Sequence, residues 1–151
     1  MKKAFLPVFA LTLLLAGSAI AQRNIDPAID RDPILEADAK HNLDVAWQAF
    51  KPLKKAYKQV IMRFEETFAA YPQFSKMDEF LYLAGMSSVY LSRNEGKQKV
   101  NLKSEKEKEK YAPEKLKQDA EAYFSMLIEK YPESKYRQEA ETRLKEIKSG
   151  A

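Results

Sequence analysis

A Tyr-Pro pair occurs twice in the sequence, and the residues around the two copies correspond. Four features share an offset of sixty positions without a gap: Phe64 with Phe124, Phe68 with Ile128, Tyr71-Pro72 with Tyr131-Pro132, and Glu79 with Glu139. A match at this many positions indicates an internal repeat. Proline cannot donate into a helix ladder and disfavours the helical conformation at the preceding residue, so each pair predicts the end of a helix.

Apolar residues on both sides of these pairs recur at three- and four-residue steps, which is typical of one buried helix face. Before the first pair they are Tyr57, Val60, Ile61, Phe64 and Phe68, and before the second they are Leu116, Ala120, Tyr123, Phe124, Leu127 and Ile128. The same pattern predicts five helices, over 32–50, 54–71, 75–91, 113–131 and 136–148, and no strand. We therefore expect an all-α fold, a short array of antiparallel helical hairpins.

Local signals refine two of these helices. Asp32 before Pro33 predicts an N-cap followed by proline in the first turn. Ser75 with Asp78 three residues later predicts a capping box at the start of the third helix. Gly85 lies inside that helix, where glycine costs about 1 kcal/mol relative to alanine, so we expect a neighbouring helix to approach closely there.

The amino terminus has the features of a secretory signal peptide over residues 1–21. Two lysines precede an apolar run over 4–16, and Ala19-Ile20-Ala21 provides a small-residue site for cleavage after Ala21. The run is shorter than the roughly 20 apolar residues of a membrane span. We expect a disordered lead-in over 22–31 and a helical domain over 32–148, which includes a charged linker at 95–111.

Leu15-Ala16-Gly17-Ser18 is similar to the lipobox of bacterial lipoproteins, with Ser18 at the position of the lipid-bearing cysteine. The sequence contains no cysteine, so neither a lipid thioether nor a disulfide is expected. Removal of the two lysines with the signal peptide lowers the formal charge from +4 to +2, which gives little support to a nucleic-acid partner. We expect a periplasmic protein without a direct lipid anchor.

The histidine and the acidic residues do not form a catalytic or metal-binding pattern in the sequence. His41 is the single histidine, and it has no cysteine or suitably spaced acid near it in the sequence. The paired acids Glu65-Glu66 and Asp78-Glu79 are typical of solvated helix faces. We therefore expect no metal, no cofactor and no enzymatic activity.

The helix pattern resembles tetratricopeptide repeats. When the repeat's proline is placed at Pro72, Val60 and Phe64 occupy its alanine and aromatic positions; from Pro132, these positions are taken by Ala120 and Phe124. The sixty-residue spacing exceeds the usual period of about 34, and the lysine-rich linker accounts for the excess.

More narrowly, residues 64–91 and 123–144 resemble the repeats of BamD-like outer-membrane assembly factors, in which an aromatic residue, Tyr-Pro, serine and an acidic helix start follow one another. This resemblance implies a non-catalytic protein-protein interaction module, a scaffold in outer-membrane protein assembly. It also implies a protein or peptide partner in the cell envelope and association with the outer membrane through that partner.

The expected partner-binding residues are Tyr82, Tyr90, Arg93 and Lys97. At least one of the two tyrosines is expected to lie off the core stripe of the third helix, and aromatic residues close to cations are typical of interface hot spots. In the alternative interpretation, both tyrosines pack between helices and the cations are solvated. A second function class is binding of anionic envelope material, glycan or lipid head groups, through the lysine-rich segment 97–110. That segment is also compatible with a solvated linker, either helix or coil.

The serine at position 18 yields a direct prediction. A fatty-acid analogue fed to cells should not label the protein, because a hydroxyl cannot replace the thiolate that forms the lipid thioether. The protein should be recovered from the periplasm without detergent, and Ser18→Cys should restore labelling. Label on the unaltered chain would contradict the lipobox interpretation.

Overall fold

The computed structural model describes residues 30–101 and 103–150, which contain six α-helices and no strand. The helices are α1 (Pro33–Phe50), α2 (Tyr57–Ala70), α3 (Met77–Ser92), α4 (Glu105–Lys110), α5 (Pro113–Lys130) and α6 (Arg137–Ser149). The all-α class is confirmed, whereas the expected signal peptide and most of the lead-in lie outside the described residues.

The helix count differs from the expected five because α4 forms inside the charged linker. Its side chains alternate in sign from Glu105 to Lys110, and Ser104 caps it by accepting a hydrogen bond from the Glu107 N–H (3.4 Å). Acidic residues lie in the first turn of α4 and lysines in the last, an order that the helix dipole favours.

The packing order follows the chain, with α3 at the centre. α1 packs on α2, α2 on α3, α3 on α5 and α5 on α6, while α3 also contacts α1. Almost every side chain of α3 from Met77 to Leu91 is buried, because helices cover it on several sides. This arrangement is compatible with a tetratricopeptide-like array in which the linker is inserted between α3 and α5.

The two Tyr-Pro turns have the same geometry, so the repeat in sequence is also a repeat in structure. In each turn, the third residue after the tyrosine donates its N–H to the tyrosine carbonyl, and the sixth donates to the carbonyl of the third. These bonds are Phe74 to Tyr71 (3.2 Å), Met77 to Phe74 (3.1 Å), Ser134 to Tyr131 (3.0 Å) and Arg137 to Ser134 (3.1 Å).

Gly85 lies at the close approach between α3 and α5. A Cβ atom at this position would lie 2.5 Å from Cε1 of Phe124, a distance that real Cβ contacts do not show. Phe124 is fully buried, as is its repeat partner Phe64. The expected close contact at Gly85 is confirmed, and the neighbouring helix is α5.

The two predicted caps have different outcomes. Asp32 caps α1 by accepting hydrogen bonds from the N–H groups of Ile34 (2.8 Å) and Leu35 (3.2 Å), as expected. The capping box at Ser75 is wrong, because α3 begins at Met77 and Asp78 is therefore its second residue rather than its third. The Ser75 N–H instead donates to the Glu36 carboxylate at 3.2 Å.

Side-chain contacts hold the linker against α2. Lys58 pairs with Glu107 at 2.8 Å, and Lys110 pairs with Glu65 at 2.5 Å. Tyr111 is 6% exposed and belongs to an apolar cluster with Ile61 of α2. The second half of the linker is therefore packed on the domain rather than solvated on all sides.

None of the helices in the described ranges is long and apolar enough to cross a membrane.

A double-mutant cycle tests the contact between Gly85 and Phe124. Gly85→Ala alone should destabilise the protein by about 1–3 kcal/mol, because the added methyl group overlaps the phenyl ring. Phe124→Ala alone should cost about 3–5 kcal/mol. In the Phe124→Ala background, Gly85→Ala should instead be neutral or stabilising by up to about 1 kcal/mol, since alanine is the better helix former. Denaturant unfolding measures all four proteins.

The sign change is the decisive result of this cycle. Equal effects of Gly85→Ala in the two backgrounds would show that the ring does not set the cost, and the close approach would be refuted.

Candidate protein-interaction face

One side of α3 carries polar and aromatic side chains, and its last aromatic residue reaches Tyr57 at the start of α2. Its members follow at steps of three and four residues, so they share a helix face: Glu79, Tyr82, Met86, Tyr90 and Arg93. Side chains of α1 and α6 meet this face of α3. Three helices from the two halves of the repeat therefore contribute to one surface.

Glu79 joins these three helices through its carboxylate. The oxygen Oε1 accepts hydrogen bonds from the indole N–H of Trp47 on α1 (2.7 Å) and from the hydroxyl of Tyr136 before α6 (3.0 Å). Hydrogen bonds to an ionised acceptor are stronger than neutral ones. This network fixes the relative positions of α1, α3 and the start of α6.

Tyr82 lies beneath this network. Its ring stacks on Tyr136 with centroids 4.6 Å apart and an interplanar angle of 17°, and the residue is 8% exposed. Burial raises the pKa of the Tyr82 hydroxyl above its ordinary value of 10.0, and the neighbouring Glu139 carboxylate raises it further. Tyr82 therefore remains neutral throughout the physiological range.

Tyr90 extends the aromatic surface towards the end of α3. Its ring centroid lies 5.0 Å from that of Tyr57 and 6.0 Å from that of Phe50, which in turn contacts Trp47 edge-on at 6.0 Å. We define the aromatic face as Trp47, Phe50, Glu79, Tyr82, Tyr90 and Tyr136. Except for the buried Tyr82, these residues are half-buried, so their rings combine core packing with solvent access.

Arg143 supplies a cation beside the aromatic face. Its guanidinium donates to Glu146 at 3.0 Å and lies 3.6 Å from Glu139, and the pKa of Arg143 is raised above its ordinary value chiefly by the bond to Glu146. The Nε atom is buried and has no hydrogen-bond partner among the described residues. Arg143 is therefore held in place with one donor unused.

The structure brings three of the four sequence-predicted binding residues to this side of α3. Tyr82 is buried, Tyr90 is half-buried and Arg93, the C-cap of α3, is exposed. Lys97 is separate from them, because its ammonium group donates to the Leu53 carbonyl in the α1–α2 loop at 2.7 Å. Contact of these residues with a partner stays a prediction.

Sequence reasoning missed the roles of Glu79 and Tyr136 at this face. A signal for Glu79 was present, since it matches Glu139 across the sixty-residue offset. Both carboxylates lie beside the stacked tyrosines in the structure: Glu79 accepts from Tyr136, and Glu139 raises the pKa of Tyr82. The aromatic partners come from helices far apart in sequence, so helix periodicity does not reveal them.

Two lysines in the second half of the linker are paired with carboxylates. Lys108 lies 3.7 Å from Glu105, and Lys110 pairs with Glu65. This pairing reduces the positive potential of the second half of the segment 97–110. Across 30–101 and 103–150, no three His, Cys, Asp or Glu side chains are grouped so as to hold a metal ion.

The family model described as "YfiO: Outer membrane lipoprotein" matches residues 18–150, nearly the whole chain. The chain belongs to the YfiO family. Comparisons with curated proteins and with solved structures gave no match. The resemblance to BamD-like proteins is thereby confirmed, and the all-helical array agrees with it.

The YfiO match begins at Ser18, the position at which the lipobox would require cysteine. The family is described as lipoprotein, whereas these 151 residues include no cysteine. Family membership associates the chain with the outer membrane and with the cell envelope. How this member is attached there is a separate question, because the usual lipid-bearing side chain is replaced.

The buried Tyr82 hydroxyl predicts a loss of stability in alkali. Unfolded tyrosine ionises with a pKa near 10.0, while folded Tyr82 has a raised pKa and stays protonated. Stability should therefore be intact below about pH 10 and fall as the pH rises above it. Tyr82→Phe should reduce the fall in melting temperature between about pH 8 and about pH 11. An identical fall in both proteins would contradict this role of Tyr82.

Proposed function

We propose that this YfiO-family chain is a non-catalytic interaction module of the periplasm that acts as a scaffold in outer-membrane protein assembly. Its partner would be a protein or peptide of the cell envelope, bound at the aromatic face and at Arg93 beside it. Family membership supports the setting in the envelope. The network centred on Glu79 is the observation that supports the binding surface.

The composition of this surface favours protein binding. Tyrosine, tryptophan and arginine are the residues most enriched where interfaces derive their affinity, and here Trp47, Tyr90 and Arg93 lie on or beside one face. Half-buried rings lose little conformational entropy when a partner covers them, because neighbouring rings already hold them in place. The surface is therefore preorganised for an extended or helical peptide.

The carboxylates near this face have structural contacts, which supports binding rather than catalysis. Glu79 accepts two hydrogen bonds, and Glu139 and Glu146 lie against Arg143. These charge-assisted contacts give each carboxylate a structural role that requires no substrate. We accordingly assign no catalytic residue and no cofactor.

We also propose that the chain is exported, cleaved after Ala21 and retained in the periplasm without a lipid of its own. The replacement of the lipobox cysteine by Ser18 supports this proposal. Association with the outer membrane would then depend on noncovalent contacts.

A double variant tests the binding face without emptying the core. Tyr90→Phe keeps the ring that packs on Phe50 and Tyr57 but removes its hydroxyl, and Arg93→Ala removes the guanidinium. Partners are first recovered from envelope extract and identified by mass spectrometry. The double variant should bind the recovered partner at least about 30-fold more weakly, as loss of a hot spot does, with an unchanged melting temperature.

Tyr123→Phe combined with Arg63→Ala is the matched control, because it makes the same chemical changes on α5 and α2. This control should retain affinity. Equal weakening by both double variants, or full affinity in the Tyr90/Arg93 variant, would place the partner elsewhere.

A further inference from the structure

Two segments distant in sequence meet at one end of the domain. The α1–α2 loop over 51–55 lies against residues 93–99, which follow α3. The backbone N–H of Lys97 donates to the Lys55 carbonyl (3.0 Å), and the Lys97 ammonium donates to the Leu53 carbonyl (2.7 Å). We call these two segments together the basic tip.

Gly96 permits this contact. It has a φ of 94°, and a Cβ atom there would lie 2.7 Å from the Lys55 carbonyl oxygen and 2.7 Å from the Tyr57 ring. The loop itself is closed by bonds from the N–H groups of Lys54 and Lys55 to the Lys51 carbonyl, each 2.9 Å. The basic tip is therefore a defined surface, held by four hydrogen bonds.

The basic tip concentrates the positive charge of the protein. It carries Lys51, Lys54, Lys55, Arg93, Lys97 and Lys99, and Glu95 is its single acid. The whole chain has a formal net charge of only +4, so the rest of the molecule is close to neutral. Within 30–101 and 103–150, none of these five lysines forms an ion pair with a carboxylate.

Leu53 is an exposed apolar side chain between the lysines of the α1–α2 loop. It is 85% exposed, more than any other large apolar side chain in the described part of the chain, and it follows Pro52 between Lys51 and Lys54. An exposed leucine is unremarkable alone. At the tip of a fixed loop, surrounded by ammonium groups, it has the composition of a surface that enters a bilayer interface.

We propose that the basic tip docks on an anionic lipid bilayer, with its lysines among the head groups and Leu53 in the boundary between head groups and acyl chains. Positive charge complements the negative surface, and each lysine near such a surface strengthens binding by about five-fold. Leu53 selects a bilayer over a glycan or a soluble polyanion, since only a bilayer offers an apolar layer beneath its anions. This contact lies next to the partner site proposed on the aromatic face, and Arg93 is at the boundary between the two.

Sedimentation with vesicles tests the proposal. Purified protein should bind vesicles made of equal parts phosphatidylglycerol and phosphatidylcholine, should not bind vesicles of phosphatidylcholine alone, and should be released by raised salt. Lys51→Gln, Lys54→Gln and Lys55→Gln combined should weaken this binding on the order of ten- to hundred-fold. Leu53→Ser should weaken vesicle binding several-fold without changing retention on a soluble polyanion such as heparin.

Three exposed lysines at the end of the array that carries the two Tyr-Pro turns give the matched control: Lys76→Gln, Lys130→Gln and Lys135→Gln remove the same charge. This control should bind vesicles nearly as the unaltered protein does, and circular dichroism should show all variants folded. If the two triple variants weaken vesicle binding equally, net charge alone causes the effect and the proposal is overturned. Absence of binding to anionic vesicles, or an effect of Leu53→Ser on heparin alone, would overturn it as well.

Discussion

The close approach of α3 and α5 at Gly85 is the constraint on which the rest of the structure depends. α3 contacts α1, α2 and α5, and α6 is attached to the domain mainly through α5. A side chain at position 85 would push the Phe124 ring and α5 outwards. Because α5 carries α6, the same displacement would separate Tyr136 from Tyr82 and Glu79. The contact between Gly85 and Phe124 thus helps to set the position of Tyr136 relative to the rest of the aromatic face.

Features that depend on neighbouring residues were predictable from the sequence, whereas features that depend on distant ones were not. The Tyr-Pro pairs predicted two turns of equal geometry, and Gly85 predicted a close helix contact, because each signal is local. The failed cap at Ser75 has a distant cause: Glu36 accepts from its N–H, and the two residues are 39 positions apart. The position of α4 likewise depends on Lys58 and Glu107, which are 49 positions apart.

The candidate interaction face shows the same division. α3 is apolar on nearly all sides, so its periodicity does not distinguish the face towards α2 and α5 from the face towards α1 and α6. At least one of Tyr82 and Tyr90 was expected to lie off the core. Tyr90 is half-buried, whereas Tyr82 is covered by Tyr136, a residue 54 positions later in the sequence. Arg93 needs no such partner to remain at the surface, because it follows the last residue of α3. The sequence therefore predicted side-chain exposure more accurately at the carboxyl end of α3 than in its middle.

This sequence contains no lipid-bearing cysteine, although its family is described as lipoprotein. The two proposed surfaces together offer a noncovalent means of attachment to the membrane. A basic loop with one apolar side chain is a weak and reversible membrane contact, comparable to other single signals, which alone give only marginal attachment. A protein partner that is itself in the membrane would hold the basic tip close to the bilayer, at an effective concentration near millimolar. The contact with the partner and the contact with the bilayer, each weak alone, would then combine into stable attachment. Such attachment weakens with salt and ends when the partner leaves, whereas a covalent lipid persists. The aromatic face ends at Tyr90 and the basic tip begins at Arg93, three residues further along the chain, so a membrane-bound partner at the first would also hold the second near the bilayer.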